Sequence, residues 1–467
     1  MAHRTKEWLT GHVQSEVQRL KAEEGLPFRE LLDESRLMAA LQAAGIKFRE
    51  RIYTPMVTWC AFLSQVMAGD DPSCENAVSR VLVDRVRRNL KPCSTDTSSY
   101  CTARQRLPEK VIADLARNTG QELHRKAPED WLLNGRPVVL VDGSTETMAD
   151  TEANQKEYPQ SRGQKPGLGF PILRFVVLLS LAVGTALDCA IGPCRGKRTG
   201  EESLFRKLWD SLRPGDIVAG DCLYDAYRDI VQLKDREIDA LFGKKQSRNC
   251  DFRKGRRLGK DDHIVVWKRP KYDASRYESR EEWESLAKEI EMRELRVTVR
   301  RKGYKTRTII IVTTLLDPEQ YPAKELAALF AARWNCELDL RSIKRVLGMH
   351  HSRCQSPEMV RKELWMHLLA YNLIRVRMAQ AAHRHNTSPR KLSFTAAMNH
   401  IQNFAQELRS SRGAEHDRIE EQLLKAVAAC RVGNRPGRKE PRAVKKRQQK
   451  YSYLSQPRAQ ARKRLAA

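Results

Sequence analysis

The sequence predicts a mixed α/β fold whose sheet is interrupted by a β-rich, basic insertion, with a helical region before it and a basic tail after it. Three observations carry this expectation. Through much of residues 1–130 apolar side chains recur at three-to-four spacing among many charges, the pattern of amphipathic helices. After Pro137 the texture changes to short apolar runs bounded by Gly, Pro and Asp, which read as buried strands. Positive charge then gathers in two blocks, residues 244–274 and 431–467.

In chain order, Gln14–Glu24 and Glu75–Asn89 read as helices. Val138–Val141, Leu173–Ser180, Thr185–Ile191 and Ile217–Ala219 read as strands, followed by a helix over Tyr224–Leu233 and a strand at Ile238–Phe242. Three strands followed by a strand with a helix behind it suit a mixed sheet. Residues 244–274 hold eleven Lys/Arg against four Asp. A hairpin follows, in which Leu295, Val297 and Val299 alternate with polar residues, Lys302-Gly303 turns, and Thr308–Leu315 returns. Helix resumes from Ala323 to about Leu347 and again from Lys362 to about Ala382. From Arg431 onward there are thirteen Lys/Arg and one acid, Glu440. Such a block cannot bury a core and is expected to be extended or disordered unless bound. The expected organisation is a helical region over 1–130, a core over 131–245 and 322–385 split by the insertion 246–321, and a helical and basic end over 386–467.

Composition narrows the function. The 467 residues carry 85 Lys+Arg against 58 Asp+Glu, a net charge of +27. A surface of that sign attracts polyanions, and nucleic acid is the commonest, because each neutralised phosphate releases a condensed counterion. The eleven cysteines are scattered with no CxxC pair, which points to a reduced compartment rather than a disulfide scaffold. The longest charge-free apolar stretch, Phe175–Leu187, is too short to span a bilayer. MAHRTKEWLT lacks the apolar core of a signal peptide. A cytoplasmic protein without membrane insertion is therefore expected.

Two aspartates stand at strand ends, Asp142 after Val138–Val141 and Asp221 after Asp216–Gly220. Carboxylates fixed at the mouths of adjacent strands can share a divalent cation through oxygen ligands, which suits Mg²⁺ or Mn²⁺. The plainer reading is that each caps the turn after its strand. A third element shifts the balance. Phe330, Arg333, Glu337, Arg341 and Lys344 fall at spacings of three and four on one face of the predicted helix. Trp334, Leu338, Leu340, Ile343 and Leu347 spread apolar surface around much of the rest. A helix packed on several sides does not carry such a charged face for solubility alone.

These residues resemble the DDE cut-and-paste transposases of the bacterial insertion-sequence-four family, whose pattern at this helix is Tyr-x2-Arg-x3-Glu-x6-Lys. Arg333, Glu337 and Lys344 fit it without gaps, and Phe330 stands where the family has Tyr. Tyr100-x3-Arg104-Gln-Arg-Leu-Pro108, Asp142-Gly-Ser-Thr145 and Gly167–Pro171 look similar too. The resemblance implies an RNase H-like core split by a β insertion before the Glu helix. It implies catalysis by Asp142, Asp221 and Glu337 holding two Mg²⁺ or Mn²⁺ ions, with Arg333, Lys344 and Phe330 facing DNA. It also implies double-stranded DNA partners (the element's terminal inverted repeats and target DNA), a homodimer in the synaptic complex, a nucleoid-associated bacterial setting and no nucleotide cofactor. The alternatives are a transposase-derived DNA-binding regulator without catalysis, or a metal-dependent endonuclease without strand transfer.

Other patterns read as structure. Gly192–Arg198 is one residue short of a phosphate loop and lacks its Ser/Thr, so it reads as a basic turn. His350-His351-x2-Cys354 lacks a second pair of zinc ligands nearby. Asp225 reads as a charge at a helix start, Glu146 and Asp150 as supporting or surface acids, and Trp267 and Trp283 as core packing rather than a base wedge.

Overall fold

A computed structural model describes residues 34–43, 45, 51–69, 71–274, 279–299, 307–433 and 452–466. The expected helix at 14–24, the Lys302-Gly303 turn and most of the basic tail lie outside these residues. Five helices come first: α1 (Glu34–Ala43), α2 (Pro55–Val66), α3 (Cys74–Arg87), α4 (Ser98–Arg106) and α5 (Glu109–Arg125). There follow β1 (Val138–Met148), α6 (Glu152–Glu157), β2 (Ile172–Ser180), β3 (Ala186–Pro193), α7 (Glu201–Arg206), β4 (Ile217–Gly220), α8 (Tyr227–Asp235) and β5 (Asp239–Gly243). Next are β6 (Arg256–Gly259), β7 (Asp262–Lys268), α9 (Arg280–Ser285), β8 (Glu289–Val299) and β9 (Arg307–Thr313). The chain ends through α10 (Ala323–Ala332), α11 (Trp334–Arg341), β10 (His351–Ser352), α12 (Pro357–Arg384), α13 (Phe394–Ser410), α14 (Gly413–Ala429) and α15 (Arg458–Ala466).

The chain divides into two compact units, one of residues 1–119, 342–349 and 361–431, the other of residues 120–341, 350–360 and 432–467. The first is helical. Thr54 and Ser73 cap α2 and α3 by accepting from the Val57 and Asn76 amides, and Pro55 fits the first turn of α2, where its missing N–H costs nothing. A buried polar knot locks α2 to α4: Tyr100 Oη and Arg104 Nη1 both donate to Gln65 Oε1, at 2.7 and 3.0 Å, and the Arg104 guanidinium stacks on Phe62. The Tyr100-x3-Arg104 motif is therefore held inside the fold. Within this unit the long α12 runs along α4 and α5, where Lys362 Nζ donates to the Gln105 carbonyl and Asn372 Nδ2 to that of Ala116.

The second unit is built on one ten-stranded mixed sheet in the order β3-β2-β1-β4-β5-β9-β8-β7-β6, with β10 beside β1. Its centre is a β-branched run buried on both faces, as parallel strands require. Val139, Val141, Val176, Leu178, Val218 and Phe242 pack under Leu204, Phe205, Ile230 and Leu233 of α7 and α8. The strands expected from Leu173 to Phe242 form close to their expected bounds; β1 runs well past Val141 to Met148, and the hairpin forms as β8 and β9, with β8 starting earlier, at Glu289. The insertion does not stand apart. β9 pairs with β5 through Leu241↔Thr313 and Gly243↔Ile311, so the same sheet runs on into β8, β7 and β6.

Two expectations change. The tail forms a helix, α15, over its described end. Its Arg458, Arg462, Lys463 and Arg464 keep the charge in water while the backbone closes its own hydrogen bonds. The single helix expected from Ala323 to Leu347 breaks after Arg333 and passes into a π turn over Ser342–Val346. The π turn widens the spiral, so Lys344 no longer follows α-helical spacing from Glu337. All eleven cysteines are free thiols, and among the described residues no helix is long and apolar enough to cross a membrane.

Candidate active site

β1 and β4 run parallel, and their register pairs Leu140 with Ala219. Asp142 and Asp221 each stand two residues farther on, so their carboxylates leave neighbouring strands side by side, about 4.8 Å apart in backbone. Asp142 does not end its strand, as the sequence suggested. The opposite edge of β1 keeps pairing with β2, from Asp142↔Val177 to Thr147↔Ile172. Asp142 marks where β1 loses its parallel neighbour but keeps its antiparallel one. That leaves it on a stiff strand beside an opening. Asp221 does follow the end of β4 and caps the next short turn, accepting from the Leu223 amide at 2.7 Å. This bond uses only one carboxylate oxygen of Asp221, Oδ1, and leaves Oδ2 outside the turn.

Side-chain alternation sends Val139 and Val141 into the core under α7 and turns Asp142 away from it. Gly143 returns to the α7 side, and a Cβ there would overlap the carboxylate of Glu201. Glu201, the first residue of α7, thus lies against bare backbone beside the aspartates. Sequence reasoning missed it, since one acid in a helical first turn is common. Burial pushes the Asp142 carboxyl up to about 6; the Gly143 amide opposes this, Asp221 adds to it, Arg333 opposes it, and Glu201 adds a little more. Burial also raises Glu201, against Arg174 and with Asp221. Beneath them Tyr224 is raised by burial and by the same three acids, and among the described residues its hydroxyl has no hydrogen-bond partner. The three acids crowd one place, relieved in part by Arg174, 3.7 Å from Glu201, and by Arg333.

α11 packs on β1 and carries Glu337. Arg333, at the break between α10 and α11, reaches Glu337 only at 4.0 Å. Its side chain is 18% exposed, yet its Nε is buried without a hydrogen-bond partner among the described residues. The guanidinium instead lies 5.5 Å from the Phe330 ring, and that ring rests on Gly243, where a Cβ would come within 3.3 Å of Cζ. Phe330 is half-buried, with Arg333 on its ring and Gly243 of β5 against its edge. Lys344 is half-buried in the π turn.

The three expected carboxylates do not close into a tight trio. Among the described residues, the one group whose possible ligand atoms all lie within 4.8 Å of one another is Cys250, His263 and Glu294. Asp142, Asp221 and Glu337 are each drawn to a separate partner, the Gly143 amide, the Leu223 amide and Arg333, and like charges do not approach unaided. Their all-oxygen donor set still matches hard divalent ions, and the raised Asp142 and Glu201 carboxyls are what a cation would relieve.

Around this place the remaining acids are structural. Asp225, expected at a helix start, is fully buried and pairs with Lys245 at 3.3 Å and Arg248 at 3.5 Å. Glu146 is buried and Asp150 is exposed. The basic turn of Gly192–Arg198 sits on the wall of a cleft of about 1650 Å³. Lys197, Arg198, Lys207, Arg228, Lys245, Arg248 and Lys268 line it. Trp267 and Trp283 are packed and hydrogen-bonded, to Glu294 Oε1 and the Pro270 carbonyl.

The Transposase DDE domain family matches residues 133–373, a span that includes β1, β4 and α11. The chain belongs to this family of DDE transposases. Transposase InsG for insertion sequence element IS4, from Escherichia coli (strain K12), is 28% identical over 419 residues, 86% of this chain and 87% of that protein. The present transposase is thus of the IS4 type. A solved piggyBac transposase synaptic complex with hairpin DNA is similar at a TM-score of 0.42 and 9% identity, over 87% of this chain and 85% of that one.

Proposed function

We propose that this transposase binds the ends of its insertion sequence as double-stranded DNA, cleaves them in a divalent-metal-dependent reaction and joins them to target DNA. The observation that carries the reading is the parallel register that levels Asp142 with Asp221 beneath the helix bearing Glu337. A five-strand mixed sheet, left by the chain after β5 and rejoined before the Glu helix, supports an RNase H-like core split by an insertion.

Asp142, Asp221 and Glu337 are the residues that would hold two Mg²⁺ or Mn²⁺ ions. Two such ions activate an attacking oxygen and neutralise a leaving one in an in-line displacement at phosphate. Arg333, held over Phe330 with a donor unspent, presents its planar fork to a phosphate. Lys344 supplies a point charge to the same backbone. The Gly143 and Leu223 amides fix the orientation of the aspartates. Tyr224 and Glu201 lie beside them, where the Glu201 charge adds to the burial that raises the Asp142 carboxyl. The basic cleft from Lys197 to Lys268 holds flanking DNA through phosphates, independent of sequence. The end-specific contacts are assigned to residues 1–130, and synapsis to a homodimer.

The test is cleavage and joining of a labelled element end in Mg²⁺ or Mn²⁺. Wild type is expected to nick and transfer the strand. Asp142→Asn, Asp221→Asn and Glu337→Gln should each lose at least about a thousandfold while keeping DNA affinity, since several kcal/mol of charge stabilisation go with the metal. The triple variant should be little worse than a single one. DNA binding without cleavage by wild type would mark a non-catalytic regulator, and cleavage without joining a simple nuclease.

A further inference from the structure

The insertion holds a second polar centre, in which His263 and Glu294 are buried and Cys250 is partly exposed. Glu294 on β8 is 3% exposed in its side chain, and its two oxygens face different neighbours. Oε1 accepts from Lys244 Nζ at 2.8 Å and from Trp267 Nε1 at 2.9 Å. Oε2 lies 2.7 Å from Cys250 Sγ and 3.3 Å from His263 Nε2, and the sulfur and that nitrogen are 3.9 Å apart. His263 Nδ1 is 2.8 Å from the Lys254 carbonyl, and its ring lies on Phe252. A carbonyl only accepts, so Nδ1 carries the proton. Nε2, the opposite ring nitrogen, is thereby aimed at Glu294 Oε2, which also accepts from the Cys250 thiol.

Three possible ligand atoms, Sγ, Nε2 and Oε2, therefore converge on one point, two of them oriented from behind. The imidazole is fixed by a backbone carbonyl and the carboxylate by an ammonium and an indole, the outer arrangement that metal-bound His and Glu side chains use. A tetrahedral zinc with Zn–S about 2.3 Å and Zn–N or Zn–O about 2.0–2.1 Å places its ligand atoms roughly 3.3–3.6 Å apart. The sulfur–nitrogen and nitrogen–oxygen separations lie within a few tenths of an ångström of that. The sulfur–oxygen separation is shorter, and seating an ion between the two atoms would spread it.

We propose that Cys250, His263 and Glu294 bind one zinc-class divalent cation, with water in the fourth position. The thiolate and imidazole select a softer ion than the Mg²⁺ or Mn²⁺ expected at the three carboxylates. Forming the metal–sulfur bond releases the thiol proton to solvent, one per ion bound. Cys250 lies on the segment that leaves β5, His263 on β7 and Glu294 on β8, so the ion ties the insertion's entry to its central hairpin. It acts there as a structural clamp, not in DNA cleavage.

Cobalt reports the site. Full-length protein stripped with a chelator should take up about one equivalent of Co²⁺ tightly, with thiolate charge-transfer absorption in the near ultraviolet. Zn²⁺ should displace it and Mg²⁺ should not. Cys250→Ser should abolish the band and His263→Asn should weaken cobalt binding at least tenfold, the loss expected even for an outer partner. Asp142→Asn should keep band and affinity, which separates this centre from the proposed cleavage site. So should Cys354→Ser, beside His350-His351. Wild type that takes up no cobalt with a thiolate band overturns the proposal whatever the variants do. A band retained by Cys250→Ser, or lost in Cys354→Ser, overturns it equally.

Discussion

Asp142 and Asp221 stand level with each other, each two residues past the last paired position of adjacent parallel strands. On the other edge of β1 the ladder to β2 continues through Asp142. The first carboxylate is therefore carried by a strand that cannot bend, while the second rides on a turn it caps itself. Position, more than residue type, makes these two aspartates a pair.

Arg333 should matter to cleavage and hardly at all to folding. Its ion pair with Glu337 is long, at 4.0 Å, and half-exposed pairs of that kind contribute at most about 1 kcal/mol. Arg333→Ala is expected to shift the melting temperature by no more than about 4 °C. Cleavage should fall about a hundredfold, the usual cost of removing one donor aimed at developing charge. Calorimetry and single-turnover cleavage of one preparation check both halves. A large thermal loss with normal cleavage would make Arg333 a structural residue only.

Gly143 should resist substitution because of Glu201. A methyl group at residue 143 would overlap the Glu201 carboxylate, so Gly143→Ala must push α7 or turn Glu201 aside. Overpacking of this kind costs about 1–3 kcal/mol, and a misplacement near 1 Å at the aspartates costs about a hundredfold in rate. Glu201→Ala in the Gly143→Ala background should recover stability, because the overlap is gone. Denaturant midpoints of the single and double variants measure that recovery.

His124 makes stability depend on pH. Burial, helped by Arg213 and Arg125, pulls its imidazole down to about 4 from an ordinary 6.5, and Ser180 Oγ lies 2.8 Å from its Nδ1. A depressed folded value means that the neutral ring stabilises the fold above pH 6.5. As pH falls from 6.5 towards 4 the unfolded chain takes up the proton and the folded chain does not, so stability drains away across that window. The full effect is on the order of 3 kcal/mol. Denaturant midpoints at pH 7 and 4.5 should differ more for wild type than for His124→Gln. Equal differences would remove His124 as the cause.

The basic tail should add affinity without preference. Its described end is the cationic helix α15, and each phosphate neutralised contributes about 0.9 to the slope of log K against log salt. Deleting residues 431–467 should flatten that slope by a few units and weaken element ends and random DNA by similar factors. Titration at several salt concentrations decides it, and an unchanged slope would take the tail off the phosphates.

Much of this was legible beforehand, for reasons tied to particular residues. β1, β2 and β5 are dense β-branched and apolar runs buried on both faces, so composition alone marked them. Asp142 and Asp221 stood out because each follows such a run. Glu201 gave no signal, since its role comes from a missing side chain at Gly143 more than fifty residues away. The break after Arg333 and the π turn were hidden too. Trp334 to Leu347 keeps a helical rhythm throughout, and the departures depend on what each turn packs against. Phe330 looked like an outward residue on a charged face, but Gly243 leaves a gap that an aromatic ring fills.

The pairing of β5 with β9 has a corollary for loop length. The chain departs at Gly243 and comes home opposite it at Ile311, so the two ends of the excursion are neighbours on one ladder. Closing that gap costs almost the same entropy whether the excursion is long or short, because the penalty grows only with the logarithm of its length. What holds the segment to the rest is packing rather than closure: Met292 enters the main core, and Leu286 packs on Tyr227 and Val231 of α8. A loop tip between β6, β7, β8 and β9 can therefore change length at little thermodynamic penalty, while the strands themselves cannot be removed without opening the core.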